Sequence, residues 1–151
     1  MAITQAMCTS FKKELMTATH NFTNSSGNTF KLALYAISSG GKSSTTATLG
    51  ATTTVFVTTG EVATSGSYST GGGTLTNVTP LNSGTVGFTD FADLSFTTAT
   101  ITARGALIYN SSQSYKAVAV LDFGSNKSSS SGTFTIQFPT ANQSTAIIRI
   151  S

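Results

Sequence analysis

The sequence predicts a mainly β fold: an antiparallel β-sandwich or jelly-roll-like body with one N-terminal amphipathic α-helix. Three observations predict it. About a third of the 151 residues are Ser or Thr and only 9% are charged, against about 25% charged in an ordinary soluble domain. Apolar residues alternate with period two in several short stretches bounded by Gly, Ser and Asn, as half-buried strands require. Only residues 3–22 carry a helical period. Disorder combines low hydrophobicity with high charge, and 38% of this chain is hydrophobic. Its length suits a single domain over 1–151, divided into a helical segment at 1–24 and a β body at 25–151.

In the first segment Ile3, Met7, Phe11 and Leu15 recur at i, i+4 spacing, with Ala6, Ala18 and Phe22 on the same stripe. This predicts a helix with Thr4 as its cap and NFTNSSG as its stop. A helix of that length is marginal alone, so the stripe must dock, on its own sheet or on a neighbouring subunit. Ile3, Met7, Phe11 and Leu15 are therefore the candidate protein-interface residues.

The strands follow in order. FKLALYA (30–36) alternates and opens the sheet, and a long polar loop covers 38–53. TVFVT (54–58) reads as a short strand or an extended crossing. The 60–73 loop ends in three consecutive glycines, which implies a mobile or tightly turned end. TLTNV (74–78) is an edge strand closed by Pro80. VGFTDFADL (86–94) holds the one acidic cluster, Asp90 and Asp93. Residues 96–123 are the organising stretch, two or three strands around a polar turn at 110–114. The arm AVAVL (117–121) is apolar at every position, as a strand covered on both faces requires. SNKSSSS (125–131) reads as a flexible turn. TFTIQF (133–138) is a strand stopped by Pro139, and AIIRI (146–150) is the last strand.

The search for chemistry is brief. Net charge is +3, but the eight basic residues are scattered, whereas nucleic-acid binders cluster theirs; no nucleic acid is expected as partner. No apolar run reaches the eighteen or so residues of a membrane span, so no membrane is expected either. The opening MAITQAMCTSFKK lacks a basic stretch before an apolar run, and no signal peptide is expected. Gly40-Gly41-Lys42-Ser43 lacks the first glycine of a phosphate loop, its place being taken by Ala36. Cys8 and His20 are the only residues of their types and cannot build a zinc site; both read as structural. Asp90 and Asp93 read as turn-fixing residues, with a weak calcium site left open. Three sequon matches, at Asn21, Asn77 and Asn110, are discounted as chance in a Ser/Thr-rich chain. Tyr35, Tyr68, Tyr109 and Tyr115 are the candidates to line a sugar-binding face, with Tyr68 and Tyr115 the two to test for sugar contact. The expectation is no enzyme, no catalytic residue, no cofactor and no metal.

The opening MAITQAMCTSFKKEL…HNFTNSSGNTFKLALY, the central FTDFADLSFTTATITARGALIYN, and AVAVLDFG followed by SGTFTIQFP…AIIRI resemble a family of small tailed-bacteriophage virion proteins of the marine and cyanophage type. The similarity runs nearly end to end and weakens in the loops at 38–53 and 60–73. It implies a structural part of the virion, with no catalytic residues to transfer. A capsid decoration (cement) protein is the expectation: a homotrimer bridging capsomers of the major capsid protein, made in the bacterial cytoplasm and working on the virion. The alternative is a tail or tail-fibre component that binds host-surface glycan.

Overall fold

A computed structural model describes residues 3–37 and 47–151. The fold is mainly β, with two antiparallel sheets and one short helix, in the order β1 (Ala6–Met7), α1 (Thr9–Met16), β2 (Phe30–Tyr35), β3 (Gly73–Thr74), β4 (Asn77–Ser83), β5 (Val86–Phe91), β6 (Leu94–Asn110), β7 (Lys116–Ile136) and β8 (Ile148–Ile150). One sheet runs β1-β7-β6-β2-β3 and the other β4-β5-β8. An aromatic column joins them. Phe22 stacks on Phe30 of β2 at 4.3 Å, and Phe91 of β5 sits 6.2 Å from Phe22, 5.8 Å from Phe30 and 5.7 Å from Phe138.

The β6–β7 hairpin is the spine, paired from Asn110↔Lys116 at its turn to Leu94↔Ile136 at its far end. Beside the turn, Ala106–Asn110 and Ala117–Val120 are buried without interruption. Beyond Arg104 the pattern changes: Phe96, Ala99, Ile101 and Ala103 are buried while Ser95, Thr100 and Thr102 are exposed. A wide bulge separates the halves, because Ala103↔Lys127 is followed by Gly105↔Asp122. Extra residues on one strand bend it and sharpen its twist. The Asp122 carboxylate fixes the bend, accepting from the Gly124 N–H at 2.9 Å and from Arg104 Nε at 3.0 Å. Gly105 is required here, since a Cβ would lie 2.4 Å from the Leu121 carbonyl oxygen. SNKSSSS, expected as a turn, instead lies within β7. Its small polar side chains suit the exposed face of a ladder whose partner supplies the apolar face.

The N-terminal segment corrects the sequence reading most. The helix is eight residues long and does not begin at residue 3. Ile3 bridges to Leu49, and Ala6 and Met7 pair with Val120 and Ala119 of β7. Cys8 N–H then donates to the Val118 carbonyl at 3.0 Å. The open edge of β7 offers these residues backbone partners and so overrides a helical period that an isolated chain would follow. The helix ends in a Schellman turn: Ala18, at φ 54, occupies the left-handed position, with Thr19 N–H donating to Glu14 O and Ala18 N–H to Leu15 O. Glycine usually fills that position, so the sequence carried no stop signal there.

Smaller differences follow the same logic. Pro80 lies inside β4, where the register slips between Val78 and Leu81; a bulge on an edge strand tolerates the missing N–H. Val55 makes only a single bridge, to Lys116. The glycine triplet is tightly turned. Gly72, at φ 74, passes so close to β2 that a Cβ would sit 1.7 Å from Leu32 O.

Candidate functional site

Of the four candidate interface residues, two are spent on the chain's own core. Ile3 is 5% exposed and Phe11 fully buried, while Met7 and Leu15 are partly buried and packed against that core. An extended Ile3–Met7 segment and an eight-residue helix cannot present these four side chains as one stripe. Met7 and Leu15 both reach the surface, Met7 beside Val86, Ile147 and Arg149 and Leu15 on a more apolar face. Leu15 lines a groove of about 490 Å³ with Ala18, Phe22, Pro80, Phe88 and Ile148, rimmed by Leu81 and Ile150. Leu81 is 58% and Ile150 57% exposed.

The residues that could have carried chemistry have structural partners. Cys8 is fully buried, and burial, with Glu14 adding to it, pushes its thiol up to about 11. A thiol so protonated is a poor nucleophile. Asp90 is fully buried and accepts from the Phe91 N–H at 2.8 Å and the Ile147 N–H at 3.1 Å. Burial raises its pKa, the two amides pull the other way without cancelling it, and Asp93 adds to the rise. Asp93 accepts from the Phe138 N–H at 2.8 Å. The two aspartates thus tie the chain around 138–147 to β5 and its turn. Among the described residues no three His, Cys, Asp or Glu side chains gather as a metal site would require.

Glu61 organises the 60–73 loop, which composition alone could not foresee. It is fully buried, and its Oε1 accepts from Tyr68 Oη at 3.0 Å and from the Gly71 N–H at 2.6 Å. Tyr68 Oη also accepts from the Leu34 N–H at 2.9 Å, Tyr109 Oη donates to Gly71 O at 2.6 Å, and Tyr35 Oη donates to Val57 O at 2.6 Å. Three tyrosines and one glutamate thereby pin loop backbone onto β2 and β6. Of the four tyrosines expected to line a sugar-binding face, Tyr35, Tyr68 and Tyr109 are buried in this network, and Tyr115 is 55% exposed beside the hairpin turn. Asn77 and Asn110, two of the sequon positions, are also buried. Gly40-Gly41-Lys42-Ser43 lies outside the described residues.

A second polar network joins the helix to the hairpin turn. Glu14 of α1 accepts from Lys116 Nζ at 2.9 Å through Oε1 and faces His20 Nε2 at 2.8 Å through Oε2. The other ring nitrogen of His20 faces Asn110 Nδ2 at 3.0 Å. Asn110 and Lys116 are the pair that closes the hairpin. Helix end, loop and turn are thus clamped at one point.

In comparisons with protein-family models, curated proteins and solved structures, the chain matches none.

Proposed function

We propose that this chain is a non-enzymatic structural protein of a tailed-bacteriophage virion: a capsid decoration protein that binds the major capsid protein as a homotrimer and bridges capsomers. The resemblance quoted above supplies the virion context. One observation of the molecule supports a binding role. An apolar groove between the helix end and the three-stranded sheet carries Leu81 and Ile150 exposed on its rim, and exposed apolar patches with polar surroundings mark interaction surfaces. The reading moves the contact surface from Ile3 and Phe11 to Leu15, Leu81 and Ile150. Leu81→Asp with Ile150→Asp is expected to weaken binding to purified capsids at least about tenfold, with the melting temperature changed by no more than a few degrees. Unchanged capsid binding, or density for the chain on the tail in electron micrographs of the particle, overturns it.

A second reading, adhesion to host-surface glycan, rests on Tyr115. Its ring is exposed at the hairpin turn, 6.1 Å from the ring of Tyr109, and an exposed aromatic face suits the apolar face of a sugar ring. Glycan binding lost in Tyr115→Ala favours this reading over the first.

A further inference from the structure

We propose that the outer edge of β7 is a docking groove for an extended, acidic segment of another polypeptide, taken up as an added strand. A groove of about 510 Å³ is lined by every residue from Thr133 to Pro139 and, nearer β1, by Leu121, Asp122 and Phe123. Successive residues of a strand face opposite sides of its sheet. Here Phe134 and Ile136 are buried while Thr133 and Thr135 are exposed. A groove that touches all four runs along the edge of the strand and not over one face. The inner edge is filled by β6, so the groove lies on the outer one. That edge already takes an extended segment. β1 pairs with it at Val120 and Ala119, and Gln5 Oε1, also in the groove lining, accepts from the Asp122 N–H at 3.4 Å. Beyond that point no strand among the described residues pairs with the outer edge.

Open edges are usually blunted against such pairing. β4 carries Pro80 and a register slip, β3 has two residues and β8 three. The middle of β7 is broken by slips too, opposite Ala103–Gly105 and opposite Phe96–Ile101. Phe134, Thr135 and Ile136, however, pair with Phe96, Ser95 and Leu94 without a slip. This short regular run has outward backbone groups that a strand can pair with. Charge selects the occupant. Lys127 lines the same groove and makes no ion pair among the described residues. The chain has five acidic residues, and each is engaged within the fold. Lys116 donates to Glu14, Tyr68 and the Gly71 amide to Glu61, and Arg104 to Asp122. The Phe91 and Ile147 amides donate to Asp90 and the Phe138 amide to Asp93. A second copy therefore offers Lys127 no free side-chain carboxylate, and the occupant is a different chain that carries one. None of these residues belongs to the Leu81 and Ile150 groove, so the two surfaces stand or fall separately.

Two short peptides of alternating valine and threonine, one with a central glutamate and the other with lysine in its place, probe the groove on the intact protein by fluorescence anisotropy. The glutamate peptide should bind about tenfold more tightly or better. Lys127→Glu, at an exposed position, should reverse the order and leave the melting temperature unchanged. N-methylation of one alternate set of the peptide's amides should abolish binding, and of the other set leave it intact, because an edge pairs with one side of a strand only. Equal binding of the two peptides, no binding, an unreversed order in Lys127→Glu, or indifference to both methylation patterns overturns the proposal. A dimer of the chain that the glutamate peptide dissociates makes the occupant a second copy, and overturns it as well.

Discussion

The two halves of the β6–β7 hairpin share strands and a ladder, yet one half is flanked by β2 and β1 and buries both faces, and the other buries one. Near the turn, Asn110 and Lys116 point to the helix side, where they meet His20 and Glu14. Tyr109 points the other way and stacks on Phe56 at 4.6 Å. Successive side chains alternate between faces, so this half is covered by a helix on one face and by loop residues on the other. Beyond the Asp122 bend one face is covered, through Phe96, Ala99, Ile101 and Ala103 of β6 and Phe134 and Ile136 of β7, and the opposite face carries hydroxyls. Cross-strand pairs such as Thr102–Ser128 at 2.9 Å and Ser95–Thr135 at 2.8 Å line that wet face. A strand needs apolar residues on both faces only where something lies on both. Here the second cover is a loop, made solid by Glu61 and three tyrosines.

The strongest way to break this comparison is truncation on each face. Leu107→Ala and Ile108→Ala, neighbours on opposite faces of the inner half and both fully buried, should each cost about 2–5 kcal/mol in denaturant unfolding. In the outer half Ile101→Ala should cost a similar amount, but its neighbour Thr102→Ala no more than about 0.5 kcal/mol. A cheap Leu107→Ala or Ile108→Ala would mean that one face of the inner half is not truly covered.

Alkaline melting sharpens the role of the loop layer. Burial, with Glu61 adding to it, raises the pKa of Tyr35 and Tyr68 and pushes Tyr109 up to about 12. The unfolded chain loses these protons near pH 10 and the folded chain only at higher pH. Their contribution is therefore fully present below about pH 10 and is lost as pH rises through the folded values. Melting temperature should drop on the order of 10 °C between pH 9.5 and 11. A flat curve would show that the hydroxyls reach water and that the layer is not closed.

The smallest effect belongs to the bend between the halves. Arg104 and Asp122 are each about one-quarter exposed, at 27% and 26%. Arg104→Ala should cost no more than about 1 kcal/mol. Bonds from Gly124 and Arg104 lower the pKa of Asp122, so its contribution is present above the ordinary carboxylate range and lost as pH falls through the lowered value. A loss of several kcal/mol in Arg104→Ala would mean that the bend holds the two halves in register.

Much of the β body was legible. AVAVL at 117–121 announced its buried setting because no residue in it needs water, and TFTIQF alternated as a one-sided strand must. The helix was misread in length: a period of three to four residues is also compatible with an extended start, and nothing local distinguishes the two until β7 offers an edge. SNKSSSS was misread because small polar residues serve a turn and a wet strand face equally well. The Ile3, Met7, Phe11 and Leu15 stripe followed from the same helical assumption. The apolar groove has no local signal because its rim, Leu81 and Ile150, comes from two strands far apart in the chain, β4 and β8.

By itself the sequence determined a β protein with a single N-terminal helix and a hairpin as its spine. Those properties depend on the local alternation of apolar and polar side chains, which the chain carries wherever it folds. Tertiary structure alone decided where the helix begins, which loops become a packed layer, and that Glu14, His20, Asn110 and Lys116 meet at one joint. Those outcomes depend on which backbone edge or side-chain partner lies within about 3 Å once distant segments meet, and spacing along the chain does not encode that distance.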